Sequence, residues 1–257
     1  MRTTAIVNLK GGVAKTVTCV NVAAILAADH GKRVLVVDAD SQANATEFFG
    51  GKQPAACTLG DLLRGIDVNP VIRPSSVDGV DLLPADDSLM DLDLSAVKSK
   101  EARVEALRKL LQARADDYDF VLIDCPPAFN AASAAALLAA DDVIIPIKLD
   151  AFSLRGMANL TRQIDNMRRI NPKLTISGLL PTMTYTSPRI RGALDILYCS
   201  DLHVYPKIRR SSKADDMTFA QRPLIETSPH SGACVDYRRL VKAYIAEGEA
   251  KGGERNG

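Results

Sequence analysis

The chain has 257 residues, 47% hydrophobic and 25% charged, with 32 Lys and Arg against 31 Asp and Glu, for a net charge of +1. This balance excludes a disordered polyelectrolyte and a uniformly basic nucleic-acid binder, so any basic surface must be local. No run of about 18 apolar residues is present to span a membrane as a helix. The five scattered cysteines include no C-x-x-C pair, which points to reduced thiols rather than a disulfide framework or a zinc site.

Taken in chain order, "MRTTAIVN" lacks the apolar core of a signal peptide and enters a strand over 4–8 at once. "RVLVVD" at 33–38 and "DFVLID" at 119–124 are continuous rather than alternating apolar runs, as are "DVIIPIK" at 142–148 and "TISGLLPTM" at 175–183. Such runs suit strands buried on both faces of a parallel sheet. "VDLLPA" at 80–85 and "HVYPKI" at 203–208 are weaker strand candidates. Helices are expected at about 15–30, 99–115, 130–140, 153–170, 188–200 and 232–247, after which the polar, glycine-rich end is expected to fray. The alternation predicts an α/β fold with a doubly wound, mostly parallel sheet flanked by helices. Its ligands bind beyond the carboxyl ends of the strands.

Three strand ends carry suggestive chemistry. After the first comes "NLKGGVAKTV", in which Gly11 and Gly12 allow a sharp turn and the following helix aims its amide dipole at an anion. Lys15 would place a point charge on phosphates and Thr16 a hydroxyl on magnesium. Asp38 and Asp40 leave the second strand on the same side, and Asp124 ends the "FVLID" strand. A lone Asp in such a place is usually a cap or turn former. Three beside a Gly-Gly-x-x-Lys-Thr turn fit hydrated magnesium better.

In order and spacing, "KGGVAKT", "DADSQANAT", "DCPPAFN" and "AADDVIIPIK" resemble the ParA/MinD deviant Walker A P-loop NTPases, specifically ParA partition ATPases. The likeness runs to about residue 245. It implies a single ATPase domain over 1–247, a disordered tail over 248–257, and an ATP hydrolase using ATP and Mg²⁺ that is slow without a stimulating partner. Lys10 then corresponds to the family's extra lysine, which reaches the nucleotide of the partner subunit in an ATP-bound homodimer, while Lys15 serves its own. Asp40 corresponds to the residue that positions the attacking water; Thr16, Asp38 and Asp124 fall at the magnesium site. The nucleotide is expected along Lys10, Gly11, Gly12, Val13, Ala14, Lys15, Thr16 and Val17, with Met183 and Arg209 at the base.

Four residues depart from the commonest family pattern: Ala14 for Gly, Ser41 for Pro, Lys148 for Gln and Arg209 for Pro. Ala14 costs about 1 kcal/mol if its φ is positive and nothing if it is helical. Arg209 puts base selectivity in question, since it can stack on a purine or turn outward.

The resemblance further implies non-specific DNA binding by the ATP state. Arg189, Arg191, Lys207, Arg210 and Lys213 are the candidate contacts, aided by Arg238, Arg239 and Lys242. It also implies a ParB-like centromere-binding partner, a cytoplasmic and nucleoid-associated location, and a short form without an N-terminal helix-turn-helix. The cargo would be a plasmid, chromosome or mobile element. Rival readings are a MinD-like membrane-cycling or other cargo-positioning ATPase, a reductase sharing an iron–sulfur cluster through cysteines such as Cys125, and a nucleotide-binding scaffold with little turnover. "YRRLVKAYIAE" near the end is amphipathic, but it resembles the family's last packed helix, so no membrane binding is expected.

Overall fold

The computed structural model describes residues 1–50, 57–66, 72–93, 95 and 103–254. Seven strands form one sheet in the order β3-β4-β2-β5-β1-β6-β7: β1 (Arg2–Ile6), β2 (Val34–Asp38), β3 (Arg73–Pro74), β4 (Val80–Leu83), β5 (Phe120–Asp124), β6 (Asp142–Lys148) and β7 (Thr175–Thr182). All pairings are parallel except that of β3, a two-residue antiparallel edge.

Continuous apolar strands are explained by cover on both faces. Ala5, Leu35, Val37, Val121, Ile123, Val143 and Ile145 enter one core cluster, and Ile6, Val34, Val36, Leu122 and Ile144 enter the other. The first cluster packs on α3 (Leu59–Arg64), α4 (Glu105–Ala113), α5 (Ala131–Ala139), α6 (Ala151–Arg168) and α7 (Pro188–Tyr198). The second packs on α1 (Lys15–His30), α2 (Asn44–Gly50), α8 (Ser212–Ala220), α9 (Leu224–Thr227) and α10 (Gly232–Glu254).

The main strands and helices lie where the sequence places them, with shifts of a residue or two at the ends, and two expectations need correction. Residues 203–208 form no strand; Val204 and Arg209 make single parallel bridges to Leu179 and Thr184. Pro206, which has no N–H to donate, interrupts the ladder between them. The last helix continues through the stretch expected to fray, as far as Glu254. Glu247 there is tied to Arg2 and Ser177, and the neighbouring Glu, Ala and Lys residues favour helix. The first part of the helix expected over 99–115 and the final residues of the tail lie outside the described residues. The helix over 232–247 is indeed packed, with Tyr237, Leu240, Val241 and Tyr244 buried. All five cysteines are free thiols.

Candidate functional site

The strand order puts the suggestive residues together. β1 lies between β5 and β6, so the loop leaving β1 opens beside the ends of both neighbours. β2 lies next to β5, with Asp38 in register with Asp124. The loop begins at Asn8, whose Oδ1 accepts from Lys10 N at 2.9 Å and whose Nδ2 donates to the Pro146 carbonyl at 2.7 Å. Gly12 adopts φ 68°, and Ala14 follows at φ 66°, ψ 35° as the N-cap of α1, making no side-chain cap. The Cβ of Ala14 therefore sits in the left-handed region, which answers the question its sequence raises: the position is strained. Val13 is buried, and its carbonyl accepts from Thr182 Oγ1 at 3.1 Å, locking the loop to the end of β7.

Lys15 is buried, donates to the Lys10 carbonyl at 3.3 Å, and has its pKa lowered by burial against the opposing pull of Asp124. Thr16 Oγ1 donates to Asp124 Oδ2 at 2.6 Å. The other oxygen of Asp124, Oδ1, is buried with no hydrogen-bond partner. Asp38 is fully buried, and both its oxygens are engaged: Oδ1 by Asp40 N at 3.0 Å, and Oδ2 by Thr46 N at 2.7 Å and Thr46 Oγ1 at 2.8 Å. Burial pushes the pKa of Asp38 up, and burial together with the Asp38 charge pushes that of Asp124 up further. Asp40 Oδ1 accepts from Gln42 N at 3.0 Å, closing a short turn that leads through Ala43, at φ 52°, into α2.

These donors fit a hydrated magnesium ion. An unpartnered carboxylate oxygen lies on the same side chain that holds a hydroxyl, and a second buried carboxylate adds charge beside it. Magnesium keeps most of its waters when bound and so needs few protein ligands.

On the far side of the loop, Ala14, Val17, Lys148, Met183 and Arg209 line one cavity of about 270 Å³. Met183 is at φ 52°, so three of the four non-glycine residues at positive φ among the described residues border this site. Arg209 does not stack freely into the cavity. Its Nε and Nη2 hold the two oxygens of the buried Asp236 at 2.7 and 2.9 Å. Lys10 points elsewhere too, with its ammonium 2.6 Å from Asp150, just beyond β6.

Comparison with known proteins now decides the family. A family profile described as an AAA domain matches residues 1–176. The sporulation initiation inhibitor protein Soj of Bacillus subtilis is 32% identical over 95% of this chain and 98% of its own. The chromosome partitioning protein ParA of Caulobacter vibrioides is 37% identical over 71% of this chain and 70% of its own. The chain belongs to the ParA family of ATPases. Among solved structures, the apo McdA of Cyanothece shares the fold at a TM-score of 0.82, with 24% identity over 95% of this chain and 99% of its own. The cobyrinic acid a,c-diamide synthase of Mycobacterium smegmatis, solved with an ATP analogue and magnesium, is 28% identical at a TM-score of 0.81 and covers 98% of this chain and 97% of its own.

The ParA motif residues of the three strand ends thus converge at the carboxyl end of the central strands. The basic residues are less uniform. Arg189, Arg191, Lys207, Arg210 and Lys213 are all exposed, but Lys213 pairs with Asp216 at 3.0 Å and Arg238 with Asp29 at 2.7 Å. Arg191, Lys207 and Arg210 join Arg209 and Arg239 around a cavity of about 750 Å³; Arg189 lies outside it. Sequence reasoning missed Asn8, Thr46, Asp150 and Thr182, which act on motif residues. Asn8 and Thr46 had a signal, standing at the start of the quoted "NLKGGVAKTV" and at the end of the quoted "DADSQANAT"; Asp150 and Thr182 had none.

Proposed function

We propose that this ParA-family ATPase dimerises with Mg·ATP, binds DNA without sequence preference as the dimer, and lets go after hydrolysis, thereby segregating a replicon with a ParB-like partner. The observation that carries the nucleotide half of this reading is the orphaned Asp124 oxygen beside the Thr16 hydroxyl at the mouth of the phosphate loop. An ATP analogue and magnesium are bound in the Mycobacterium smegmatis structure, and the same chemistry fits here.

In this reading Lys15 and the amides from Gly11 to Thr16 hold the phosphates of the chain's own nucleotide. Thr16 and Asp124 hold the hydrated metal, and Asp38 contributes charge while its oxygens organise the segment from Asp40 to Thr46. When bound, magnesium offsets the negative charge that builds on the β- and γ-phosphates. Asp40 orients the attacking water, and Lys10 of one subunit supplies positive charge to the γ-phosphate held by the other. A lysine supplied in trans makes turnover depend on dimerisation. The base lies against Met183, with Arg209 shaping that wall from its fixed place on Asp236.

Support for the DNA half is the group of exposed cations around the 750 Å³ cavity, suited to salt-sensitive phosphate contacts. The amphipathic face of α10 is used in the core, which supports this reading over a membrane-cycling one. We place the protein in the cytoplasm, on the nucleoid in its ATP state. The test is Asp40→Ala with Mg·ATP: binding and dimerisation persist while phosphate release falls at least ~100-fold, the scale of a lost water-positioning group. Normal turnover by that variant would remove Asp40 from its role and sink the mechanism.

A further inference from the structure

The Lys10 side chain is committed within its own subunit. Its Nζ lies 2.7 and 2.6 Å from the two oxygens of Asp150, with side-chain exposures of 35% and 31% for the pair. The backbone on both sides is fixed. Asn8 ties the start of the loop to Pro146 in β6, and Asp150 N donates to the Lys148 carbonyl in a tight turn at the end of that strand. Lys10 and Asp150 are therefore brought together by two anchors on one strand rather than by a chance encounter of flexible side chains.

We propose that Asp150 is a latch for Lys10: it holds the lysine against its own β6 end and sets the nucleotide concentration at which two subunits close on each other. This rests on the reading above that Lys10 acts in trans. Charge arithmetic gives the latch its direction. An ammonium facing a carboxylate must leave it before it can serve a phosphate on another subunit, and a polyphosphate with its several negative charges is the competitor able to draw it away. A partly exposed pair is weak enough to open at that cost, and two latches open per dimer.

The experiment uses the full chain, with Mg²⁺ and a slowly hydrolysed ATP analogue, and reads the analogue concentration at half-maximal dimer by sedimentation. Asp150→Asn removes the charge but preserves a side chain that caps a helix as well as Asp does, ahead of α6. Its half-point is expected to fall by roughly two- to fivefold per latch, the range of a partly exposed ion pair. Asp150→Ser should shift the same way, and Asp150→Glu should return the half-point toward wild type. ADP affinity of the monomer and the melting temperature should stay put, which a general structural role would not allow. If wild type dimerises and Lys10→Ala does not, while Asp150→Asn leaves the half-point unchanged or raises it, the latch is wrong and the trans reading stands. If wild type stays monomeric, or Lys10→Ala dimerises as well as wild type, the trans reading falls and the latch with it.

Discussion

The two ends of the sheet bury charge in opposite ways. At the amino end, Arg2 is almost enclosed and fully answered: it donates to Asp142, Ser177, Glu247 and the Tyr244 carbonyl, and lies 4.0 Å over the Tyr244 ring. Asp142 is completed from its other oxygen by Thr4 at 2.6 Å. At the carboxyl end, Asp38 and Asp124 face each other in register with like charge, one oxygen is orphaned, and the backbone is strained at Ala14, Ala43 and Met183. A buried charge met by its opposite fastens elements together, here β1, β6, β7 and α10. Buried like charges on strained turns destabilise the fold unless something binds them, so that end marks the site.

The largest expected effect breaks the fastened end. Arg2→Ala leaves Asp142 and Glu247 buried without their cation and should cost roughly 3–5 kcal/mol in denaturant unfolding. ATP affinity of the folded fraction should not change, because nothing in the network reaches the loop. A loss of nucleotide affinity matching the loss of stability would erase the contrast between the two ends.

A smaller effect, of opposite sign, is expected at the strained end. Burial holds the pKa of Asp124 up near about 8, above its ordinary value of 3.8, so the folded chain binds a proton that the unfolded chain has released. Stability from this group is complete at low pH and drains away as pH rises from about 4 toward 8. Asp124→Asn removes that penalty and should stabilise the ligand-free protein at pH 8, and much less at pH 5. Equal effects at both pH values would mean that the carboxylate is not strained by its neighbours.

The smallest sharpens the backbone side of the comparison. Ala14→Gly relieves a left-handed alanine and should add roughly 1 kcal/mol, with nucleotide binding retained. A neutral or destabilising result would place the strain elsewhere.

Most of this contrast was readable in the sequence at one end and hidden at the other. β2, β5 and β6 announced themselves as uninterrupted apolar runs because both faces are covered, and Lys10, Lys15, Thr16, Asp38, Asp40 and Asp124 stand at the spacings of the ParA motifs. Asn8, Thr46 and Asp150 follow no such spacing, since each acts through a hydrogen bond to a motif residue that only the strand order brings near. α8 was missed because "SKADDMTFA" buries only Met217 and so carries almost no periodicity. The reading of 203–208 as a strand gave too little weight to Pro206. The conformation of Ala14 depends on how the loop closes against Thr182, and no local pattern encodes that. The Arg2 network joins residues from both ends of the chain and leaves no trace in either segment alone.

The central claim is that the carboxyl end of the sheet is completed by magnesium and nucleotide together, with Asp124 as the carboxylate that couples them. Calorimetric titration of ATP with and without Mg²⁺, for wild type and Asp124→Ala, tests it most directly. The expected result is that Mg²⁺ tightens ATP binding at least ~10-fold in wild type, about 1.4 kcal/mol, and has little effect in the variant. The same magnesium dependence in both proteins would contradict it.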